Sequence, residues 1–399
     1  MKNTNIIVPK PINEPILSYA PGTTERANLK KRLEELKSQE TEVPLIIGGQ
    51  EVKSGNLGEM YVPHDHQHVL GCYHKAGSEE ITKAIEAALT AWKTWSKTNM
   101  ETRANIFLKA ADLLAGPWRD TVNAATMLNM SKNAYQAEID AACELIDFFR
   151  FNAWYAQELA EHQPMYSPEG MKNSTELRPL EGFVFAVSPF NFTSIGGNLP
   201  CAPAMMGNVA LWKPASSAVY PAYFIMQLLI EAGLPKGVIN FIPGSGRDVG
   251  PNVMSDSNLA GVHFTGSTNV FQGMWKTIGE NIANYKAYPR IVGETGGKDF
   301  CIAHESADIE ALATAMVRGA FEYQGQKCSA MSRAYIPTSI WDSLKEKYID
   351  QVNAIKMGDP EDFSNFMNAV IDKSAFDSIS KFIDFANDSE EAQILTGGK

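Results

Sequence analysis

The chain has 399 residues, more than one hydrophobic core usually supports, so at least two domains with a well-buried interior are expected. Its 44% hydrophobic and 20% charged residues are ordinary for a globular protein and exclude collagen-like, low-complexity and wholly disordered chains. A formal net charge of −11 without a Lys/Arg cluster argues against nucleic acid as a partner, because phosphate binding needs a concentrated basic face.

Cysteine usage and the lack of long apolar runs indicate the compartment. The five cysteines form no C-x-x-C pair, which argues against a zinc site and a disulfide framework, so no metal is expected. No stretch approaches the roughly eighteen apolar residues of a membrane span, and no signal segment is evident. We therefore expect a cytoplasmic protein that does not contact a membrane. The cysteines are Cys72, Cys143, Cys201, Cys301 and Cys328.

The N-terminal part is predicted to be mainly helical. Thr24 is a candidate N-cap for a surface helix with leucines at helical spacing, and a turn-rich stretch then runs to Gly77. Ser78 precedes an amphipathic helix whose apolar stripe continues to Trp95. Helical patterning also covers 103–114 and 136–157, whereas the Pro- and Gly-containing segment that follows predicts a loop or exposed hairpin over 163–180.

From Gly182 onward, short apolar runs alternate with segments of helical length. This alternation predicts βαβ units around a parallel sheet that is buried on both faces, with a dinucleotide site at the carboxyl ends of the strands. A second alternation, with a helix over 307–323 and a strand over 334–336, predicts a second α/β domain. The apolar runs of the first sheet cover 183–187, 209–212, 238–242, 261–264 and 291–292.

Two glycine-containing segments that follow strands are candidate dinucleotide contacts. The glycines of 244–250 are spaced one residue too far apart for a G-x-G-x-x-G motif, so Gly244 reads first as a loop glycine. Gly266 and Ser267 end a buried strand and open a helix whose free amides would suit a pyrophosphate. An ordinary cap at Ser267 or Thr268 predicts the same residues, so both interpretations stay open.

Two polar side chains occupy comparable positions at strand ends. Lys213 follows the run 209–212, where nucleotide hydroxyls would lie, and a merely solvated lysine is the alternative. Asn191, flanked by Phe190 and Phe192, offers an amide donor that suits an oxyanion, although such an asparagine is more often a turn residue.

The strongest pattern joins a carboxylate to a cysteine. Glu294 is followed by Thr-Gly-Gly-Lys, and Cys328 comes 34 residues later within Gly-Gln-Lys-Cys-Ser-Ala. A thiolate can attack a carbonyl, amide donors can hold the resulting oxyanion, and a carboxylate can activate water against a thioester. On its local sequence alone, a buried inert thiol is the competing interpretation of Cys328.

Taken together, these motifs resemble the aldehyde dehydrogenase superfamily, because they occur in its order and with its spacing. Within it, the sequence is similar to the glutamate γ-semialdehyde (Δ1-pyrroline-5-carboxylate) dehydrogenases over nearly the whole chain. The segments that carry this closer resemblance are 13–22, 137–150, 188–193 and 321–329.

The resemblance implies an α/β fold with a Rossmann-type NAD-binding domain and a second, catalytic α/β domain. It places the NAD-binding domain, with an N-terminal helical segment, over 1–296 and the first part of the catalytic domain over 297–399. Residues 163–180 would form an inserted oligomerisation hairpin, so a homodimer or higher homo-oligomer is expected. The implied reaction, part of proline catabolism, is NAD-dependent oxidation of L-glutamate γ-semialdehyde to L-glutamate.

Site roles follow from the same resemblance. It implies Cys328 as the nucleophile, Asn191 with the Cys328 backbone amide as the oxyanion hole, and Glu294 as the base that activates water. A carboxylate such as Glu144 would face the substrate ammonium. The implied cofactor contacts are Ser188, Lys213, Ser216, Gly244, Gly266 and Ser267. The implied substrate contacts are Glu144, Phe192, Lys327 and Ser329.

The sequence departs from the family pattern at two places. Ser216 stands where many NAD-linked members carry a glutamate that binds the ribose, which leaves acceptance of NADP open. Beyond Lys399 the family continues with a Glu-x-Phe-Gly-Pro segment, a substrate loop and an oligomerisation strand, so we expect the sequence to be a C-terminally incomplete fragment. A dehydrogenase for another small aldehyde and a non-catalytic protein that keeps the fold stay open as alternatives.

Overall fold

The computed structural model describes residues 8–398 and contains two α/β regions. The strands of the first region are β1 (Thr41–Val43), β2 (Leu45–Ile47), β3 (Gln50–Val52), β4 (Leu57–Val62), β5 (Asp65–His74), β6 (Phe183–Val187), β7 (Val209–Lys213), β8 (Ile239–Phe241), β9 (Leu259–Thr265) and β10 (Arg290–Glu294). Those of the second are β11 (Phe300–Ile302) and β12 (Arg333–Tyr335).

The helices lie between and around these strands. They are α1 (Thr24–Lys37), α2 (Ser78–Trp95), α3 (Met100–Ala115), α4 (Arg119–Met130), α5 (Ala134–Ala137), α6 (Glu144–Glu161), α7 (Thr193–Met205), α8 (Val219–Ala232), α9 (Gly246–Met254), α10 (Thr268–Glu280), α11 (Ile309–Phe321), α12 (Thr338–Asn353) and α13 (Lys373–Asp388).

A seven-stranded sheet forms the centre of the first region. Its strand order is β10-β9-β6-β7-β8-β2-β3, and the strands from β10 to β8 are parallel. Every residue of β6 and β7 is buried, as expected for a sheet covered by helices on both faces. The expected α/β fold with a Rossmann-type sheet is confirmed, and each of its five predicted strands is present.

The prediction of a turn-rich stretch before Gly77 was wrong, because that stretch contains β1 to β5. Three of these strands form a separate sheet in the order β1-β5-β4, whereas β2 extends the main sheet antiparallel to β8 and β3 pairs antiparallel with β2. Their signal is weak locally, because three of them have only three residues and the start of β5 is polar and exposed. One of their pairings is also remote in sequence, since Ile46 in β2 pairs with Phe241 in β8. At α1, Thr23 is the N-cap rather than Thr24.

The helix predicted over 136–157 is present but interrupted. One π-helical turn, Glu138–Cys143, separates α5 from α6. A π turn adds a residue to the helical repeat and is frequent at functional sites. Here it lies where the chain buries two carboxylates, those of Glu138 and Asp140.

The Glu138 carboxylate anchors the N-terminal segment on these helices. It accepts hydrogen bonds from the Tyr19 hydroxyl at 2.7 Å, the Leu17 amide at 2.9 Å and the Arg119 guanidinium. Burial alone would raise the pKa of Glu138, but the Arg119 guanidinium and the other donors bring this pKa below its usual value. Glu138 is therefore a charged, fully satisfied group in the interior.

Residues 163–180 form an exposed loop without strand structure in the part of the chain that the model describes. The Gln163 side chain closes the loop through hydrogen bonds with the backbone of Thr175, at 2.9 and 3.2 Å. Met165 and Tyr166, near its start, are largely exposed. Among residues 8–398, no helix is long and apolar enough to cross a membrane.

We expect Glu138→Ala to lower the free energy of unfolding by about 3–5 kcal/mol, because it leaves the buried Arg119 guanidinium without its main partner. Urea denaturation followed by circular dichroism measures this loss. Glu79→Ala, which removes an exposed ion pair with Lys83, is the control and should leave the midpoint unchanged. Equal midpoints for the two variants would contradict the anchoring role.

Candidate active site

The candidate residues of the first domain lie at one edge of the main sheet. Ser188 and Asn191 follow β6, Lys213 is the last residue of β7, Ser267 follows β9, and Glu294 is the last residue of β10. Because these strands are parallel and adjacent, their carboxyl ends meet at the same edge. The fold thus brings together side chains that are far apart in sequence.

A cleft of about 960 Å³ opens at this edge. Ser188, Lys213, Ser216, Gly266 and Ser267 line it, which are five of the six expected cofactor contacts. Its volume and its position at the carboxyl ends of the strands suit a dinucleotide.

Lys213 is the most unusual group in this cleft. Its side chain is buried, and its one hydrogen bond within residues 8–398 runs from Nζ to the Pro214 carbonyl at 3.0 Å. Burial lowers the pKa of Lys213 to about 8. A buried ammonium with unused hydrogens is well suited to donate to the hydroxyls of a ribose, so the cleft fits the implied cofactor.

Two helices begin at the same cleft. Ser245 caps α9 by accepting from the Asp248 amide at 3.1 Å, and Ser267 caps α10 by accepting from the Val270 amide at 3.4 Å. Ser267, rather than Thr268, is the N-cap. The Thr265 hydroxyl, buried beside them, has no hydrogen-bond partner among the described residues. Free amides at the two helix starts and this hydroxyl could donate to phosphate oxygens.

The remaining expected cofactor residues also serve the fold. Ser188 Oγ donates to the Gly196 carbonyl at 3.0 Å and accepts from Trp212 Nε1 at 2.6 Å. Ser216 Oγ donates to the Gly244 carbonyl at 3.2 Å. Gly244 is buried outside the lining of the cleft, and a Cβ there would lie 2.8 Å from the Val249 side chain. A Cβ on Gly266 would lie 2.7 Å from the Phe264 ring, so ring packing restricts that position to glycine.

The segment before Cys328 has an unusual backbone. Tyr323, Gln324 and Gly325 have φ values of 51°, 56° and 71°, so three consecutive residues lie in the left-handed region. For the two non-glycine residues this conformation costs about 1–3 kcal/mol each. Such a segment persists only where surrounding contacts hold it.

Side-chain hydrogen bonds provide those contacts. The Tyr323 hydroxyl donates to the Met130 carbonyl at 2.8 Å, and Gln324 Nε2 donates to the Ala369 carbonyl at 2.7 Å. Gln326 Oε1 accepts from the Ile371 amide at 3.0 Å. Three side chains of the strained loop are therefore fixed to two separate parts of the chain.

The three expected catalytic residues lie on segments that meet at this loop. Asn191 Nδ2 donates to the Gln326 carbonyl at 2.9 Å, and Asn191 Oδ1 is buried with no hydrogen-bond partner among the described residues. A Cβ on Gly297 would lie 1.7 Å from the Cys328 carbonyl oxygen, so the glycine loop that follows Glu294 packs directly against Cys328. Cys328 is half-buried, whereas Glu294 is exposed.

The four residues expected to contact the substrate lie in different surroundings. Lys327 and Phe192 meet, with Lys327 Nζ 5.5 Å from the ring centroid. Glu144 accepts from the Ser194 hydroxyl, and burial raises the pKa of Glu144, with that hydrogen bond opposing the rise. Ser329 is exposed.

Sequence reasoning missed two charged groups beside this site, Lys132 and Asp140. Lys132 is fully buried, and Asp140 joins it to Lys327 through ion pairs of 2.5 and 3.0 Å. The sequence carries a signal for the acidic partner, because Glu138, Asp140 and Glu144 lie within an otherwise apolar stretch. Carboxylates in such a stretch are either exposed on a helix or buried with partners.

One group of possible metal ligands lies elsewhere. Atoms of His64, Asp359 and Glu361 lie within 4.8 Å of one another. Glu361 also pairs with the Lys37 ammonium, which supplies a positive charge to this group from the protein itself.

Comparisons with known proteins give a consistent result. The model of the aldehyde dehydrogenase family matches residues 51–399. The chain is 48% identical over 394 residues to the mitochondrial Δ1-pyrroline-5-carboxylate dehydrogenase of Dictyostelium discoideum, covering 98% of this chain and 71% of that protein. It is 47% identical over 391 residues to the human mitochondrial protein of the same name, with coverages of 98% and 69%.

Two solved structures that match this chain are of proteins with the same name as these relatives. The Δ-pyrroline-5-carboxylate dehydrogenase from Mycobacterium tuberculosis bound with NAD matches with a TM-score of 0.97 at 46% identity, over 100% of this chain and 74% of that chain. The 1-pyrroline-5-carboxylate dehydrogenase from Thermus with bound NAD matches with a TM-score of 0.91 at 29% identity, over 98% and 76%.

We expect Lys213→Met to weaken NAD binding by ~10-fold or more, because it removes a charged donor. The same change should stabilise the protein by about 3 kcal/mol at pH 7, because a pKa lowered from 10.5 to about 8 reflects a buried charge that folding disfavours. Isothermal titration with NAD and urea denaturation measure the two effects.

The stabilisation should depend on pH in a defined direction. The native wild-type protein releases the Lys213 proton as pH rises through about 8, whereas the unfolded chain keeps it to about 10.5, so the wild type gains stability in that window and the difference shrinks. Lys276→Met, which removes an exposed lysine on α10, is the matched control. NAD affinity unchanged by Lys213→Met would contradict the assigned contact.

Proposed function

Because this chain belongs to the aldehyde dehydrogenase family, we propose that it oxidises L-glutamate γ-semialdehyde, the hydrolysed form of 1-pyrroline-5-carboxylate, to L-glutamate. NAD is the cofactor, as in the NAD-bound structures that the chain resembles over its whole length. The reaction belongs to proline catabolism.

One structural observation carries the catalytic part of the proposal. The segment with Asn191 and the glycine loop after Glu294 both contact the backbone around Cys328, through the 2.9 Å hydrogen bond from Asn191 to Gln326 and the close approach of Gly297. The segments that carry an amide donor and a carboxylate therefore meet at the backbone of the loop that carries the thiol. These are the groups that acyl transfer through a thioester requires.

The proposed reaction begins at Cys328. Its thiolate attacks the aldehyde carbon and forms a thiohemiacetal, whose oxyanion is held by the Asn191 amide and the Cys328 backbone amide. NAD, when bound, supplies the hydride acceptor that converts this adduct into a thioester. Glu294 then removes a proton from water, and the hydroxide attacks the thioester carbon, releasing glutamate and the thiolate.

The exposed position of Glu294 suits its part in this sequence. A general base that activates water needs access to water, and Glu294 ends β10 on the open side of the sheet edge. Its backbone carbonyl accepts from the Gly266 amide at 3.1 Å, which fixes its strand end beside the cofactor cleft. Glu294 therefore lies beside the cofactor cleft and is also accessible to water.

Substrate selection would rest on the charged groups around Phe192. The substrate carries an ammonium and a carboxylate at the end opposite its aldehyde. Glu144 could face the ammonium of the substrate. Burial favours the neutral form of Glu144, whereas a nearby cation would favour its charged form. Lys327 could face a carboxylate. Ser329, exposed next to Cys328, completes the proposed contacts.

Assembly and compartment are part of this proposal. We infer a homo-oligomer, which the exposed Met165 and Tyr166 on the loop 163–180 support, because exposed apolar side chains suit contact with another subunit. A cytoplasmic location stays a prediction, since relatives of the chain carry mitochondrial names.

We expect Cys328→Ala to abolish NADH production from glutamate γ-semialdehyde while NAD affinity is preserved, because the thiol carries the covalent step and lies outside the lining of the cofactor cleft. NADH absorbance and isothermal titration are the two measurements. Cys72→Ala, a change of a distant thiol on β5, is the matched control. NADH production retained by Cys328→Ala would overturn the proposed mechanism.

Comparison of substrates tests the proposed specificity. The wild-type protein should turn over glutamate γ-semialdehyde with a higher kcat/KM than succinate semialdehyde or propanal, because neither of these carries the substrate's ammonium. A higher kcat/KM for either rival would identify a dehydrogenase for another small aldehyde. Absence of turnover with all three, together with no labelling of Cys328 by a thiol reagent, would indicate a non-catalytic protein.

A further inference from the structure

A buried imidazole lies among carboxylates at a place that the proposed reaction does not use. His64 is in the turn between β4 and β5, and its side chain is 6% exposed. One possible ligand atom from each of His64, Asp359 and Glu361 lies within 4.8 Å of the other two. Asp359 and Glu361 belong to the segment that connects α12 to α13. These three residues, the histidine–carboxylate cluster, therefore join parts of the chain that are far apart in sequence.

The ring nitrogen that faces the carboxylates has no hydrogen bond. His64 Nε2 is buried and lacks a hydrogen-bond partner among residues 8–398. It lies 3.6 Å from Asp359 Oδ1, which is too far for a hydrogen bond. A buried polar atom without a partner is unfavourable, and such atoms mark places where an ion or a water can bind. A ligand for this nitrogen would remove an unfavourable feature of the fold.

The other ring nitrogen is held by the fold. His64 Nδ1 lies 2.7 Å from Oγ of Ser131, a fully buried residue that follows α4. A histidine that binds a metal usually donates its other ring N–H to an oxygen, which fixes the ring and leaves the facing lone pair free. When Nδ1 donates to Ser131, the lone pair of Nε2 faces Asp359. Burial also lowers the pKa of His64, against the attraction of the carboxylates, so the ring is neutral at pH 7.

The spacing of the cluster suits a small divalent cation. Nitrogen and carboxylate ligands lie about 2.0–2.2 Å from zinc, so two ligand atoms of a tetrahedral zinc site are about 3.4 Å apart. The 3.6 Å between His64 Nε2 and Asp359 Oδ1 is close to this separation. A side-chain rotation of Glu361 would bring in the third ligand. Asp359 is half exposed, so a fourth position stays accessible to water.

The charges around the cluster also favour a cation. Asp359, Glu361 and the neighbouring Asp65 carry three formal negative charges near His64, and Lys37 supplies one positive charge. Lys37 pairs with Oε1 of Glu361, whereas Asp359 forms no ion pair with a lysine or arginine in the described part of the chain. An excess of negative charge therefore remains although Lys37 is present. A divalent cation would offset this excess.

We propose that His64, Asp359 and Glu361 form a binding site for Zn²⁺, with water as a fourth ligand. One imidazole nitrogen and two carboxylate oxygens suit zinc, whereas Mg²⁺ and Ca²⁺ prefer oxygen ligands alone. The site contains no cysteine, so cysteine spacing does not indicate it.

A metal at this cluster would strengthen the support of the nucleophile loop. Asn368, in the same connecting segment as Asp359, donates from Nδ2 to the Ser131 carbonyl at 3.2 Å. The backbone amide of Asn368 donates to Gln324 Oε1 at 3.1 Å. Gln324 is one of the residues with left-handed backbone before Cys328. A cation that ties His64 to Asp359 would thus hold the segment that in turn holds this loop.

Zinc titration of the full, chelator-treated chain tests the inference. We expect one zinc ion per chain by isothermal titration with ZnCl₂, and His64→Gln should weaken this binding by ~100-fold or more because a ligand is lost. Asp359→Asn should weaken it similarly with little risk to the fold, because asparagine can still accept the 2.8 Å hydrogen bond from the Glu361 amide. His66→Gln, a change of an exposed histidine on β5, is the matched control and should leave the affinity unchanged.

Two further measurements distinguish this site from zinc bound by cysteines. Cobalt(II) in place of zinc should give visible absorption without the intense near-ultraviolet band of a cobalt–thiolate bond. Lys37→Met should tighten zinc binding by ~10-fold, because it removes a positive charge that competes for Glu361. Zinc bound by thiols would show that near-ultraviolet band and would not respond to changes of His64, Asp359 or Lys37.

The outcome does not depend on the proposed catalysis, because the titrations contain neither substrate nor NAD. A wild-type protein that binds no zinc would contradict the inference, as would tighter binding of Mg²⁺ than of Zn²⁺. Unchanged zinc affinity in a folded His64→Gln or Asp359→Asn protein, with the fold checked by circular dichroism, would also contradict it. If the site supports the nucleophile loop, zinc should slow hydrogen exchange over 357–371 in the wild type and not in Asp359→Asn.

Discussion

The hydrogen bond from Asn191 to the Gln326 carbonyl joins two parts of the chain that are 135 residues apart in sequence. One part is the segment that follows β6, a central strand of the main sheet, and the other is the loop that carries Cys328. The position of the Gln326 carbonyl depends on the left-handed backbone of the residues before it. Hydrogen bonds of the Tyr323, Gln324 and Gln326 side chains hold that backbone in place. The proposed chemistry therefore depends on a strained loop that the rest of the fold keeps in place.

Several charged groups are buried in the protein, and each opposes folding unless it is compensated. Glu138 is fully satisfied and anchors the N-terminal segment. Lys213 and Lys132 are less well compensated, since the first has one carbonyl partner and the second shares its carboxylate with another cation. Groups of this kind are expected at functional sites, where stability is reduced in favour of binding or catalysis.

Much of the fold and part of the site follow from the sequence. Apolar runs such as 183–187 predict buried parallel strands, and the shared edge of such strands predicts that Asn191, Lys213 and Ser267 lie near one another. Strands β1 to β3 were missed because each has only three residues, and β1 and β2 also pair with strands that are not their neighbours in the chain. The proximity of Cys328 to Asn191 was implied by family resemblance alone, since local patterning does not show how a second domain docks. Lys132 and the π turn that presents Asp140 depend on tertiary packing, which single-sequence periodicity does not report.

Trapping the covalent intermediate tests the central claim most directly. In a Glu294→Gln protein incubated with NAD and glutamate γ-semialdehyde, release of the thioester should be slow, so a glutamyl adduct should accumulate. Mass spectrometry of the quenched, digested protein should find this adduct on the peptide that contains Cys328. An adduct on another residue, or full NADH production without any adduct, would contradict the assignment of Cys328 and Glu294 to one thioester mechanism.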